Sequence, residues 1–249
     1  MNLPKIRVFI AGLSPGERRL DGDAAHYVAH VHRLRAGEPF VAFDPAARLE
    51  SEGEILKVDR EAVIVRLGVN SPARAVPPLD VTLVQCAGKG DKVDDVVRAS
   101  TALGVRALLV AESSRSVARI EGERATRRRE RWRAIALDAA RQSGRGDVPE
   151  IEGPRPLADI LSALRDPPAT KLCLDPQASA SFTSALSPPL PKLAVILLIG
   201  PEGGLTDDEL TLADRAGFIR VRLGPFVLRT ELAAAAALGA LLALSDREP

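Results

Sequence analysis

Two short stretches of this chain hold the residue types from which a ligand site is built. Leu198-Ile-Gly-Pro-Glu-Gly-Gly204 packs three glycines and a proline into its last five residues. Glycine admits backbone geometries closed to other residues, so such a stretch brings main-chain amides and carbonyls close to a bound molecule. The second, Leu223-Gly-Pro-Phe-Val-Leu-Arg-Thr-Glu231, combines a Gly-Pro turn with a cation and an acid. Each follows an apolar strand-like run and precedes a helical pattern, the place where open parallel sheets bind ligands. Neither matches Gly-x-Gly-x-x-Gly, and no Gly-Lys-Ser/Thr follows, which disfavours dinucleotide and nucleoside-triphosphate chemistry. His26 and His30, four residues apart, would share a helix face as metal ligands do, but no third ligand has fitting spacing. No metal is expected.

The elements that must position these loops are legible from periodicity. Strands are expected at Asp80–Gln85, Ala107–Ala111, Lys171–Asp175, Ala194–Gly200 and Phe218–Leu223. Between them, Lys92–Gly104, Arg124–Arg141, Leu157–Leu164, a helix ending at Gly217 and Thr230–Leu244 carry helical patterns. Thr206-Asp-Asp-Glu209 has the form of a capping box that opens the fourth of these helices. Alternating strands and helices predict an α/β domain on a mainly parallel sheet. Upstream, short β-like runs at Ile6–Ile10, Pro39–Phe43, Gly53–Val58 and Ala62–Leu67, with one helical stretch around Ala24–Leu34, predict a small β-rich, barrel-like module. Three prolines in Asn70–Pro78 mark the boundary. The domains are set at 1–72 and 79–249, with 73–78 as a Pro-rich linker.

Composition excludes several classes. The 249 residues carry 34 Lys and Arg against 33 Asp and Glu, too balanced for a chain that holds nucleic acid by uniform positive charge. Cys86 and Cys173 exclude a disulfide scaffold and four-cysteine zinc sites, and both sit in apolar runs as expected of buried free thiols. No secretory segment is seen, and Leu232–Leu244 is too short to span a bilayer, so a cytoplasmic protein is expected.

The paired loops also carry a resemblance. Gly200-Pro-Glu-Gly-Gly204, Leu223-Gly-Pro225 and Leu228-Arg-Thr-Glu231 resemble the signature of the ribosomal RNA small subunit methyltransferase E family. Lys89-Gly-Asp-Lys92, Leu103-Gly-Val105, Ser113-Ser-Arg-Ser116, Arg131-Trp132 and Gln142-Ser-Gly-Arg145 follow in that family's order. His26 and Arg33-Leu-Arg35 with Gly37 are similar to its N-terminal module. The chain departs from the family pattern at Ala99, Ala102, Arg141, Phe226 and Leu232.

The resemblance implies a SPOUT-type methyltransferase domain with a deep C-terminal trefoil knot, preceded by a PUA-like barrel. It implies S-adenosylmethionine as cofactor, held mostly by main-chain groups of Leu198, Gly200, Pro201, Glu202, Gly203, Gly204, Leu223, Gly224, Pro225, Leu228 and Thr230, with Leu174 as a third wall. The implied reaction methylates N3 of a specific uridine in 16S rRNA, with the assembled small ribosomal subunit as the expected substrate. Negative charge then spreads over the uracil carbonyls, and Arg229 is the candidate to stabilise it. Glu231 or Glu202 is the candidate base. Arg7, His26, Arg33, Arg35, Lys89, Arg115, Arg127, Arg128 and Arg145 are candidate RNA contacts. A homodimer is implied, with the nearly all-apolar last helix at its interface. Ten basic against four acidic residues over Arg115–Arg145 make a plausible phosphate track. Two other readings stay open: methylation of another rRNA or tRNA position, and a non-catalytic RNA-binding assembly factor.

Overall fold

A computed structural model describes residues 6–59, 62–88, 92–116, 121–166, 168–186 and 194–245. The chain divides into two compact units, Met1–Val76 with Ala140–Val148, and Pro77–Ala139 with Pro149–Pro249.

The first unit contains strands β1 (Arg7–Phe9), β2 (Gly16–Leu20), β3 (Pro39–Asp44), β4 (Leu49–Val58), β5 (Val63–Leu67) and β6 (Ser71–Pro72). Helix α1 (Gly22–His26) runs on into a π-helical turn, Tyr27–Val31, where a single longer helix is predicted from periodicity. The sheet order is β1-β3-β4-β5-β2, with β6 paired to β4. Among the described residues of this sheet only β1–β3 is parallel. Strands β1 and β2 stand at the two ends of this path, with no pairing between them among the described residues. Val8, Phe40, Ile55, Val63 and Val65 form the core with Val28 of the turn. Gly53 leaves the space that the Phe40 ring fills, since a Cβ there would lie 2.5 Å from the ring. Strand β2, Gly-Glu-Arg-Arg-Leu, escapes sequence reading because only Leu20 is buried and the rest reads as a charged loop.

The second unit is built on a parallel sheet of β7 (Val81–Cys86), β8 (Ala107–Glu112), β9 (Glu150–Pro156), β10 (Ala169–Leu174), β11 (Ala194–Ile199) and β12 (Ile219–Val221), ordered β12-β10-β11-β7-β8-β9. Alternate residues enter two cores, one on each face, as the period-two geometry of a strand requires. Leu83, Leu172 and Leu197 pack with α2 (Lys92–Ala102), α3 (Gly122–Ser143) and α7 (Thr230–Ser245). Val84, Cys173 and Leu198 pack with α4 (Leu157–Ala163) and α6 (Asp207–Arg215). The predicted strands and helices of this unit are present. Two elements are additional, the short α5 (Phe182–Ala185) and β9, whose Gly153 and two prolines mask a strand pattern.

Trp132 is buried, and its indole donates to Asp94 Oδ1 at 3.1 Å while Arg131 Nε donates to Oδ2 at 2.7 Å. The Arg-Trp pair of the sequence thus fastens α3 to α2. Because every strand runs the same way, the loops after β7, β8, β10, β11 and β12 gather at one edge of the sheet.

Candidate active site

The loop after β11 and the loop after β12 are joined through one side chain. Thr230, the first residue of α7, donates its hydroxyl to the Gly200 carbonyl at 2.8 Å. The same oxygen accepts from Gln85 Nε2 of β7 at 2.7 Å. Gly204 N–H donates to the Pro201 carbonyl at 2.8 Å, closing the glycine-rich turn before the predicted capping box, which is present with both reciprocal bonds. On the other side, Arg222 N–H donates to the Ala180 carbonyl and Phe182 N–H to the Arg222 carbonyl, so the β12 exit runs along segment 178–182.

These segments enclose a cleft of about 980 Å³, at the upper end of what a single small ligand needs. Of the predicted cofactor residues, Leu174, Gly200, Pro201, Glu202, Gly203, Gly204, Leu223, Leu228 and Thr230 line it. Leu198 does not, being buried in the core on the α4–α6 face. Gly224 and Pro225 face a smaller hollow with Phe182 and Arg222. Asp175–Ser179, Arg115, Phe226 and Val227 also line the cleft, and the glycine-rich motifs alone point to none of them as a cofactor contact.

Of the three predicted catalytic side chains, Glu202 lines the cleft and Arg229 and Glu231 lie outside its lining. Glu202 Oε1 is 2.7 Å from Lys92 Nζ, and Glu231 Oε2 is 3.7 Å from the same ammonium. Glu202 holds the Lys92 pKa above its ordinary value, while the Arg229 charge nearby pulls it down. Gly88 makes room for Glu202, since a Cβ there would sit 2.7 Å from Oε1. No sequence signal ties Lys92 to two acids more than a hundred residues away.

Arg115 was expected on RNA, and the structure puts it at the cleft, where its guanidinium donates to the Gly203 carbonyl. Its turn is docked at several points. Ser114 N–H donates to Glu209 Oε1 at 2.7 Å, and Ser116 Oγ donates to the Ala87 carbonyl at 2.8 Å. Burial opposes charge on Glu209, yet hydrogen bonds from Thr206 and Ser114 outweigh it and hold the carboxyl below its usual range. Cys86 and Cys173 are free and buried. Desolvation pushes both thiols up, Cys173 to about 12, which leaves neither a thiolate nucleophile.

The other predicted RNA contacts divide sharply. His26, Arg33, Arg35 and Arg127 are exposed, and Arg128 is half-buried. Arg7 and Arg145 are spent inside the first unit. Arg7 Nη1 pairs with Glu50 at 2.8 Å and Nη2 donates to the Arg145 carbonyl, while buried Arg145 binds Asp147 at 2.6 Å. Lys89 lies outside the described residues. No group of three or more metal-binding side chains occurs among the described residues.

A family model described as an RNA methyltransferase domain matches residues 75–242. Ribosomal RNA small subunit methyltransferase E of Mycobacterium bovis is 35% identical over 236 residues, covering 92% of this chain and 87% of that protein. The Bacillus subtilis protein of the same name is 29% identical, covering 89% and 88%. Among solved structures, a Legionella pneumophila methyltransferase in complex with SAM superposes with a TM-score of 0.86 at 32% identity, covering 97% of this chain and 98% of that one. Ribosomal RNA small subunit methyltransferase E of Neisseria gonorrhoeae, bound to S-adenosyl methionine, gives 0.85 at 29% identity, covering 96% and 98%. The likeness thus runs through both units and is not confined to the paired loops, and the chain belongs to the ribosomal RNA small subunit methyltransferase E family.

Proposed function

We propose that the chain transfers a methyl group from S-adenosylmethionine to N3 of a specific uridine of 16S rRNA in the small ribosomal subunit. The observation that carries this reading is the cleft itself, where two Gly-Pro loops are tied by Thr230 at the carboxyl edge of a parallel sheet. Its lining suits the cofactor: Leu174, Ile199, Leu223 and Leu228 offer apolar walls, and Gly200–Gly204 offer main-chain groups. The carboxylates of Asp175 and Glu202 complement a ligand with a sulfonium and an ammonium. The cofactor supplies an activated methyl group when bound.

Glu202 is ion-paired to Lys92, so it acts by charge at the cleft rather than as a strong base. Arg229 and Glu231 flank the same lysine, and we assign them to holding the start of α7 and the glycine-rich loop together. We read the segment from Arg222 to Thr230, laid between 178–182 and the β11 loop, as the threaded part of a trefoil knot. The first unit serves as a PUA-like RNA-binding module, with His26, Arg33 and Arg35 as its exposed contacts. The enzyme works as a homodimer in the cytoplasm, on the assembled subunit.

Mass spectrometry of 16S rRNA from cells lacking the gene tests the reaction. One methyl group should be missing from N3 of one uridine, and the purified protein with S-adenosylmethionine should restore it. A complete set of uridine methyl groups in those cells would overturn the proposal.

A further inference from the structure

Two cations line the cleft among the described residues, Arg115 and Arg220. Arg220 Nη2 lies 2.9 Å from Asp214, so its charge is matched by a carboxylate. Arg115 meets no carboxylate among the described residues; its guanidinium donates to the neutral carbonyl of Gly203. That leaves most of a five-donor fork and a full positive charge at the cleft.

The side chain is also pre-positioned. Its stem lies over Gly203, where a Cβ would come within 3.3 Å of Arg115 Cδ. The turn that carries it is held by Glu209 through Ser114 and by the Ala87 carbonyl through Ser116. Glu209 is 6% exposed and caps α6 as well, so one buried carboxylate fixes both the turn and the helix behind the glycine-rich loop. A charged donor fixed in advance at the place where charge develops is the arrangement that stabilises a transition state.

We propose that Arg115 is a catalytic residue that binds a carbonyl oxygen of the target uracil, and that Glu209 positions it. This inference rests on the reading of the chain as a uracil-N3 methyltransferase. In the reaction the N3 proton passes to water, the N3–carbon bond forms, and the carbon–sulfur bond breaks with its electron pair left on sulfur. The charge released on deprotonation lies on the carbonyl oxygens, where a guanidinium can meet it; Arg115 lines the cleft and Arg229 does not.

The test compares wild type with Arg115→Ala and Arg115→Lys on small subunits purified from cells lacking the enzyme. Calorimetric affinity for S-adenosylmethionine should change far less than kcat in both variants, although Arg115 borders the cleft. Arg115→Ala should lower kcat by about 100-fold or more, the loss typical for one oxyanion donor, with Arg115→Lys recovering part of it. The kcat of Arg115→Ala should keep climbing with pH where that of wild type levels off, because the base must then ionise unaided. Glu209→Gln should show the same pH signature in weaker form. A kcat within threefold of wild type, a loss confined to KM, or a uniform loss at every pH would overturn the proposal. Failure of the wild-type enzyme to methylate uridine N3 would instead sink the underlying reading.

Discussion

Glu209 holds two pieces of the second unit at once, capping α6 and fixing the turn that carries Arg115. The Thr206–Glu209 spacing announces a capping box, and both of its bonds form. What the spacing cannot announce is the third partner, the Ser114 N–H, which comes from a loop ninety-five residues away in sequence. The bonds that its carboxylate accepts, from the Thr206 N–H and hydroxyl and from the Ser114 N–H, favour the ionised form, so its pKa is lowered in the folded state despite burial. A lowered pKa contributes stability that is present above the unfolded value of about 4.5 and is lost as pH falls through the folded value. Glu209→Gln should therefore unfold at lower urea than wild type at neutral pH, and the gap should close as the pH drops below about 4. Equal gaps at pH 7 and pH 3 would contradict this origin. Arg7 and Arg145 give the opposite lesson. As sequence they are arginines in an RNA-binding context, but Glu50 and Asp147 already pair with their charges inside the first unit. Nothing in their local sequence announces these partners.

At the scale of elements, the patterns with clean periodicity were legible and the mixed ones were not. Val81–Cys86 and Ala194–Ile199 are buried along nearly their whole length because helices cover both faces of the parallel sheet, and such strands read as continuous apolar runs. Strand β2 is written in charged residues and β9 in glycine and proline, so each reads as loop until pairing is known. Helix α7 was expected to be covered on several sides from its near-uniform apolarity. In the folded chain Ala234, Ala237, Leu238 and Leu241 are buried in the same core as Val93, Val96 and Val97 of α2. The alanines are there for closeness: Ala234 and Ala237 are fully buried, and a larger side chain must displace its neighbours. Ala237→Leu should cost about 1–3 kcal/mol by overpacking, read as a lower urea midpoint. The opposite change at a half-buried position of the same helix, Leu242→Ala, should cost much less. The knot-forming reading of the C-terminal segment came from resemblance alone, because no periodicity reports on threading.

At the scale of the molecule, a formal charge of +1 conceals blocks of opposite sign. Arg115–Arg145 carries a net excess of six positive charges, while residues 146–214 carry eleven acids against four basic residues. Two of the arginines are ion-paired within the second unit: Arg131 holds Asp94, and Arg127 pairs with Glu123 one turn earlier at 2.7 Å. The latter is an exposed pair, of the kind that contributes little to stability and yields readily to a phosphate partner. Arg127, Arg128 and Arg129 stand consecutively on α3, the first exposed and the other two half-buried, and together they make a basic cluster on that helix. Contacts to phosphates release counterions, and each adds to the salt dependence of binding by about 0.7–0.9 in the slope of log K against log salt. Reversing all three to Glu should weaken binding to small-subunit rRNA and flatten that slope by roughly two units or more. Affinity for S-adenosylmethionine should stay at the wild-type value, because none of the three lines the cleft. Filter binding over a salt series, beside calorimetry with the cofactor, measures both quantities on the same protein. Parallel loss of rRNA and cofactor binding would mean that α3 supports the fold of the cleft, and the cluster would then have no separate role in holding RNA.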